Sequence, residues 1–119
     1  MYGHVNHTCY LTWIETARIR TWQQMLGKPA VAEHTFVLGE LTIRYVAPAF
    51  FDDEVDIHVA PGRIGSRSFD LHYRLVRASD DTLLATCVTT LVMFDQATNE
   101  TRPVPEIWRE AVARRAAGA

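Results

Sequence analysis

Lysine is almost missing from this chain. Of its 12 basic residues only Lys28 is a lysine, and the 14 acidic residues outnumber them, leaving a formal net charge of −2. That balance argues against the basic face with which nucleic-acid binders neutralise phosphates. Cysteine is scarce too. Cys9 and Cys87 are too few for a disulfide scaffold or a structural zinc site. No apolar run approaches the roughly 20 residues of a membrane span. The first residues lack the charged-then-apolar pattern of a signal peptide. There is no internal repeat, low-complexity tract or linker. What is present is 119 residues, 48% of them hydrophobic, which is one domain's worth of chain with one core. The expectation is a single soluble, cytoplasmic domain over residues 1–119, with neither nucleic acid nor membrane as a partner.

Periodicity divides the chain. Tyr10, Trp13, Ile14, Ala17, Thr21 and Met25 recur at helical spacing and form one mostly apolar stripe. Asn6 and Thr8 are both good helix caps, and Gly27 followed by Lys28-Pro29 is a stop. The spacing predicts a long helix over 8–26. The period then changes from helical to alternating. Strands are predicted over 36–46, 54–59, 68–75 and 83–94, with Pro61-Gly62 as a bend or bulge and 78–81 as a turn. The last strand is apolar or small on both faces, as in a central strand covered on both sides. Residues 95–102 read as a polar loop. A short helix is predicted over 106–116, with Ile107, Trp108, Ala111 and Val112 as its apolar side. The order is one long helix, four long antiparallel strands and a short terminal helix. A sheet with helices on one face leaves the other face for water or for a second subunit.

The opening residues carry the most specific pattern. Gly3-His4-Val5-Asn6-His7-Thr8-Cys9-Tyr10 is followed by Trp13, Glu15, Ala17 and Arg18. This resembles the acyl-CoA thioesterases of the 4-hydroxybenzoyl-CoA thioesterase family, which carry Gly-His-Val-Asn-Asn, a tyrosine, then Glu and Ala-Arg on the helix. Ile43-Arg44-Tyr45, Asp53-Glu54-Val55, Ile64 to Phe69, Val92 to Asp95 and Arg102 to Pro105 follow in the family's order. The resemblance implies an α+β hotdog fold, in which a long helix is wrapped by a curved antiparallel sheet. It implies hydrolysis of acyl-CoA by a homodimer or homotetramer, with the site at a subunit interface and no metal or cofactor. The sequence departs from the family in two places. His7 stands where many members have a second Asn. The family's catalytic Asp would fall immediately before Met1, and the strand leading into it is absent. The expectation is that the codon before Met1 encodes Asp. A stop or frameshift there would favour a non-catalytic hotdog protein that only binds acyl thioesters. A hotdog hydratase or dehydratase fits less well, because the His4 context and the Tyr10–Arg18 pattern are those of thioesterases.

Thioester hydrolysis needs a polarised carbonyl, an activated water or nucleophile, and a leaving thiolate. The free N–H groups and positive dipole end of a helix start suit a developing oxyanion. His7 and Glu15 are the candidate catalytic residues in this sequence: His7 to orient substrate or act as base, Glu15 as a second carboxylate. Each has a plainer reading, His7 as a helix cap and Glu15 as the ion-pair partner of Arg18. Gly3, His4, Val5, Asn6, Tyr10 and Trp13 are the candidate substrate-binding residues, with loop shaping, capping and core packing as their alternatives. Arg63, Ser66 and Arg67 are the candidates for holding coenzyme A, whose phosphates need cations. Solvated arginines on an outer strand are the alternative. Cys9 beside the helix start could be a stabilised thiolate, but reads as a buried, inert thiol. His34, His58 and His72 lack metal-ligand spacing.

Overall fold

A computed structural model describes residues 7–26 and 36–118. The chain forms helix α1 (His7–Leu26), strands β1 (Phe36–Tyr45), β2 (Val55–Ile64), β3 (Ser68–Arg77), β4 (Leu83–Asp95) and β5 (Glu100–Thr101), and helix α2 (Glu106–Gly118). The sheet order is β1-β4-β3-β2, all antiparallel, with the short β5 paired to β4. A long helix packed against a curved antiparallel sheet is the α+β hotdog architecture that the resemblance implied.

The elements lie close to their predicted bounds, and the differences have physical causes. α1 starts at His7, one residue before the predicted start, so Thr8 lies inside the helix. β2 continues through Pro61-Gly62 to Ile64, with a register irregularity between Pro61 and Ile64. It can continue because β2 is an edge strand, where a proline's missing N–H disturbs no ladder bond. A Cβ on Gly62 would come within 2.5 Å of the His72 ring, so a larger residue there requires that exposed ring to turn aside. The segment read as polar loop contains β5, and its tight turn puts Asn99 at φ 60°. Ile64 to Phe69, which the resemblance put on one strand, spans the β2–β3 connection. Gly65 donates its N–H to Ser68 O at 2.7 Å there, closing a tight hairpin.

The core lies between the sheet and the two helices. Ile14 and Trp22 of α1, Phe69, Leu71, Tyr73 and Leu75 of β3, Leu84 and Leu91 of β4, and Trp108 of α2 are buried. Burying a side chain of this size stabilises the fold by roughly 2 kcal/mol before entropy is counted. Trp22 was not part of the predicted stripe. It is buried because α2 folds back, stacking Trp108 on it at 4.6 Å, with Phe69 edge-on at 4.9 Å. On β4, residues alternate between buried and half-buried, so within one chain the strand is covered on one face.

The β1–β2 loop is braced by one arginine. Arg77 bonds Asp53 at 2.9 Å, Asp80 at 3.0 Å and the Pro48 carbonyl at 2.8 Å. Its guanidinium also lies over the Phe50 ring, 5.7 Å from the centroid. The loop is thereby held while presenting Phe51 to solvent at 76% exposure.

Candidate functional site

The start of α1 places the first candidate. His7 is the first residue of the helix, and no acidic residue lies in the first turn to neutralise the dipole. The first four N–H groups of a helix have no partner within it. This end of α1 therefore presents donors and positive potential, the arrangement an oxyanion needs. Gly3, His4, Val5 and Asn6 lie outside the described residues. Tyr10 ends the first turn and is buried, edge-on to Tyr45 of β1 at 5.1 Å and tilted against Trp13 at 5.4 Å. Tyr45 ties the helix start to the end of the β1 edge. Partial burial, then Tyr10 and Cys87, push the Tyr45 hydroxyl pKa up, so it is a neutral donor at ordinary pH. Cys9, expected to be buried, is instead an exposed free thiol, since it precedes Tyr10 on the helix and falls off the buried stripe.

Glu15 stands elsewhere. It is eight residues on from His7 and thus about 12 Å along the axis. It is exposed, between Leu11 and Ile19 on the outer face of α1. No ion pair joins it to Arg18 among the described residues. Arg18 turns inward instead, against the Tyr73 hydroxyl, which also bonds Thr89 at 3.0 Å. Its Nε is buried without a hydrogen-bond partner. Burial pushes the neighbouring Cys87 thiol up to about 11.

Trp13 lines a second feature, a cleft of about 490 Å³ between α1 and β2. Thr16, Arg20, Gln24, Val55 and Ile57 share its wall, which mixes polar and apolar side chains. Sequence reasoning found only Trp13 of it. Its other members come from two elements whose apposition depends on the fold.

The coenzyme A candidates are at the far end of the sheet. Arg63 contacts Asp70 at 3.6 Å and Ser68 at 3.3 Å. Arg67 donates to the Thr101 carbonyl at 2.6 Å, and the Ser66 carbonyl accepts from Val104 N–H at 2.8 Å. Arg109 braces the same hairpin through Gly65 O at 2.7 Å. Both hairpin arginines therefore hold local structure, with the side chain of Arg63 still 58% exposed. Tyr45 pairs with Ala85, whereas the Arg67 carbonyl accepts from Met93 N–H. Eight residues of β4 and two strand spacings separate them, about 28 Å within one chain. One chain does not bring the two groups of candidates together.

A further cationic feature became visible only with the register. Arg44, Thr86, Arg74 and His58 are successive cross-strand partners on the outer sheet face. No ion pair among the described residues includes Arg44 or Arg74. Also among the described residues, no group of three or more His, Cys, Asp or Glu side chains is placed to hold a metal ion. Among the described residues, no helix is long and apolar enough to cross a membrane.

The family model described as the thioesterase-like superfamily matches residues 1–113. The chain belongs to that superfamily. Membership makes it a thioester hydrolase by class. Solved structures agree with this. A thioesterase from Thermus thermophilus, crystallised with coenzyme A and zinc, is 27% identical, with a TM-score of 0.81 over 94% of this chain and 80% of that one. The PA2801 protein of Pseudomonas aeruginosa, a putative thioesterase, is 28% identical, with a TM-score of 0.82 over 92% and 85%. A 1,4-dihydroxy-2-naphthoyl-CoA thioesterase from Synechocystis has the same fold at 19% identity, with a TM-score of 0.83 over 93% and 84%. No curated protein matches the chain.

Proposed function

We propose that this thioesterase-superfamily protein hydrolyses acyl-CoA to the free acid and coenzyme A, working as a homodimer or homotetramer. The start of α1 carries the reading. It follows the Gly3–Tyr10 signature in sequence, is unneutralised by any acid in its first turn, and rests on Tyr10 and Tyr45. Its N–H groups would receive the thioester carbonyl oxygen as it gains charge. His7 is the candidate catalytic side chain at that end, orienting substrate or taking a proton from water. Glu15, about 12 Å farther along the helix, cannot act on the same carbonyl in one chain. The Thermus relative crystallised with coenzyme A supports the choice of leaving group.

The test is thiol release from a panel of aromatic, short-chain and long-chain acyl-CoAs. Hydrolysis of at least one, lowered by about 100-fold or more in His7→Ala, is the expected result. Binding of acyl-CoA without hydrolysis would replace the proposal with the acyl-thioester-binding alternative. Hydrolysis unaffected by His7→Ala but abolished by Glu15→Gln would move the chemistry to Glu15.

A further inference from the structure

The outer face of the sheet carries charge of both signs, sorted by end. Arg44 of β1 and Arg74 of β3 are both register partners of Thr86 on β4, so they flank it from either side. Four residues along the same strands, about 13 Å away, Glu40 and Asp70 flank Thr90 in the same way. The two ends differ in what is already satisfied. Asp70 accepts from the Thr90 hydroxyl at 2.8 Å and faces Arg63 at 3.6 Å. Arg44 and Arg74 are exposed, and among the described residues neither has an ion pair or a side-chain hydrogen bond. By contrast, Arg63, Arg67, Arg77, Arg102 and Arg109 each hold a carboxylate or a main-chain carbonyl.

Strand geometry sets the spacing of the two free guanidinium groups. Val46 donates its N–H to Leu84 O at 2.8 Å. Two residues on in each strand, Arg44 and Thr86 are therefore also a hydrogen-bonded pair, about 5.5 Å apart at Cα. Thr86 thus turns its main-chain groups toward β1, which makes Thr86 and Arg74 a non-hydrogen-bonded pair about 4.5 Å apart. The two arginines stand about 10 Å apart across a small hydroxyl side chain. Like charges set side by side on one face destabilise a sheet. Asp56 does not relieve them, because it lies on β2, on the far side of Arg74 from Thr86.

We propose that Arg44 and Arg74 clamp a phosphate monoester over Thr86 on the outer face of the sheet. The planar fork of one arginine occupies both oxygens of a carboxylate. A phosphate monoester presents three free oxygens, so it meets a fork on each side and takes the Thr86 hydroxyl from below. Its charge of about −1.5 to −2 near neutral pH matches the two guanidinium charges. His58 is the next residue of the row beyond Arg74 and offers a ring N–H at its end. Arg44 and Tyr45 are neighbours in β1 and so point to opposite faces. The clamp therefore backs onto the end of the sheet that meets the start of α1. Seven residues of β4, roughly 23 Å, separate Thr86 from Met93, where the Arg67 hairpin attaches. Two sources supply a phosphate monoester: coenzyme A, through its ribose phosphate, or a separate phosphorylated molecule. The clamp rests on the arginines and not on the hydrolytic chemistry, so its test is binding.

Titration calorimetry at constant ionic strength, with inorganic phosphate as the probe, should show binding to the wild type at millimolar concentration or below. Arg44→Gln and Arg74→Gln should each weaken it by about ten-fold or more, since each removes charged hydrogen bonds. Thr86→Val should weaken it less, and Arg114→Gln on α2 should leave it unchanged. Circular dichroism checks folding. Where a glutamine variant fails to fold, Arg44→Lys or Arg74→Lys keeps the charge, loses the fork and should still weaken phosphate several-fold. Coenzyme A and dephospho-coenzyme A then separate the sources. A wild-type preference for coenzyme A that Arg44→Gln erases assigns the clamped phosphate to the substrate. No such preference, or one that survives Arg44→Gln while phosphate binding is lost, assigns the clamp to a separate phosphorylated ligand. A wild type that does not bind phosphate, or binding equal in wild type and the arginine variants, would overturn the clamp whatever the thiol-release assay shows. Binding weakened as much by Arg114→Gln would overturn it too.

Discussion

β1 turns Val37, Leu38 and Tyr45 outward along its free side, whereas β2 turns out Asp56, His58 and Arg63. Both strands are ten residues long and both end the sheet. β2 also carries Pro61, loses register between Pro61 and Ile64, and lies under parts of α1 and α2. Proline, charge, irregularity and cover are the devices that stop an edge from recruiting another strand. β1 has an irregularity too, between Leu38 and Glu40, where a Cβ on Gly39 would meet Val92 at 2.9 Å. From Glu40 to Tyr45 it is regular. Among the described residues β2 is the covered and interrupted edge, whereas β1 leaves the main-chain groups of its outer side without a strand partner.

That contrast is readable only against the stability of the sheet itself. Leu91 sits on β4, inside both edges, and is fully buried. Leu91→Ala should cost about 3 kcal/mol, or roughly 10 °C in Tm, by removing buried surface and leaving a cavity. Urea unfolding of the isolated variant measures it. A much smaller loss would mean that β4 is not the centre on which both edges depend.

Proline then probes the two edges directly. Ile43 and Ile57 both aim their N–H groups away from the neighbouring strand, given the bonds Val46 N–H to Leu84 O and Ala78 N–H to Glu54 O. If the proposed homo-oligomer meets at β1, Ile43→Pro should dissociate it at a smaller cost to the fold than Leu91→Ala, since it removes an outward donor and no β1–β4 bond. Ile57→Pro should leave the assembly intact. Equal effects at the two positions, read by sedimentation, would erase the distinction between the edges.

Local pattern made most of this architecture legible. Alternation marked three of the four long strands, a run of apolar or small residues marked β4, and the 3.6-residue period marked α1 to within one residue of its start. Trp22 escaped because its burial depends on Trp108, 86 residues later in the chain, coming to lie on it. Arg18 was read beside Glu15 because i, i+3 spacing makes such pairs. The helix instead faces that arginine toward Tyr73, a contact no local rule contains. The cationic row Arg44-Thr86-Arg74-His58 needed the register of three strand pairs. The signature at Gly3–Tyr10 showed where chemistry belongs, but the distance from Tyr45 to Arg67 could be judged only once the strand order was known.

The loop joining the two edges responds to acid. The Phe50 N–H, then the Arg77 guanidinium, hold the Asp53 carboxyl below its ordinary value. A folded pKa below the unfolded one means that ionised Asp53 stabilises the fold fully above about pH 4. The stabilisation is lost as pH falls through the lowered folded value. Thermal unfolding between pH 2 and pH 6 should therefore be less steeply pH-dependent in Asp53→Asn than in wild type. Identical slopes would show that the Arg77 brace does not hold the loop.

The smallest effect reports on the open edge from beneath. Cys87 is the register partner of Ile43 and is buried, with burial pushing its thiol up to about 11. Near pH 8 its thiolate is scarce and unreachable, so a thiol reagent modifies it only when β1 opens. Exposed Cys9 should react first and fast. If the proposed homo-oligomer meets at β1, reversing the charge of that edge in Arg44→Glu should speed Cys87 labelling by several-fold, while a charge change at His58 on β2 should not. Labelling then follows opening rather than ionisation, because both variants leave the surroundings of Cys87 unchanged. Equal labelling in wild type and Arg44→Glu, at concentrations where sedimentation shows the wild type assembled, would mean that the partner covers some other part of the molecule.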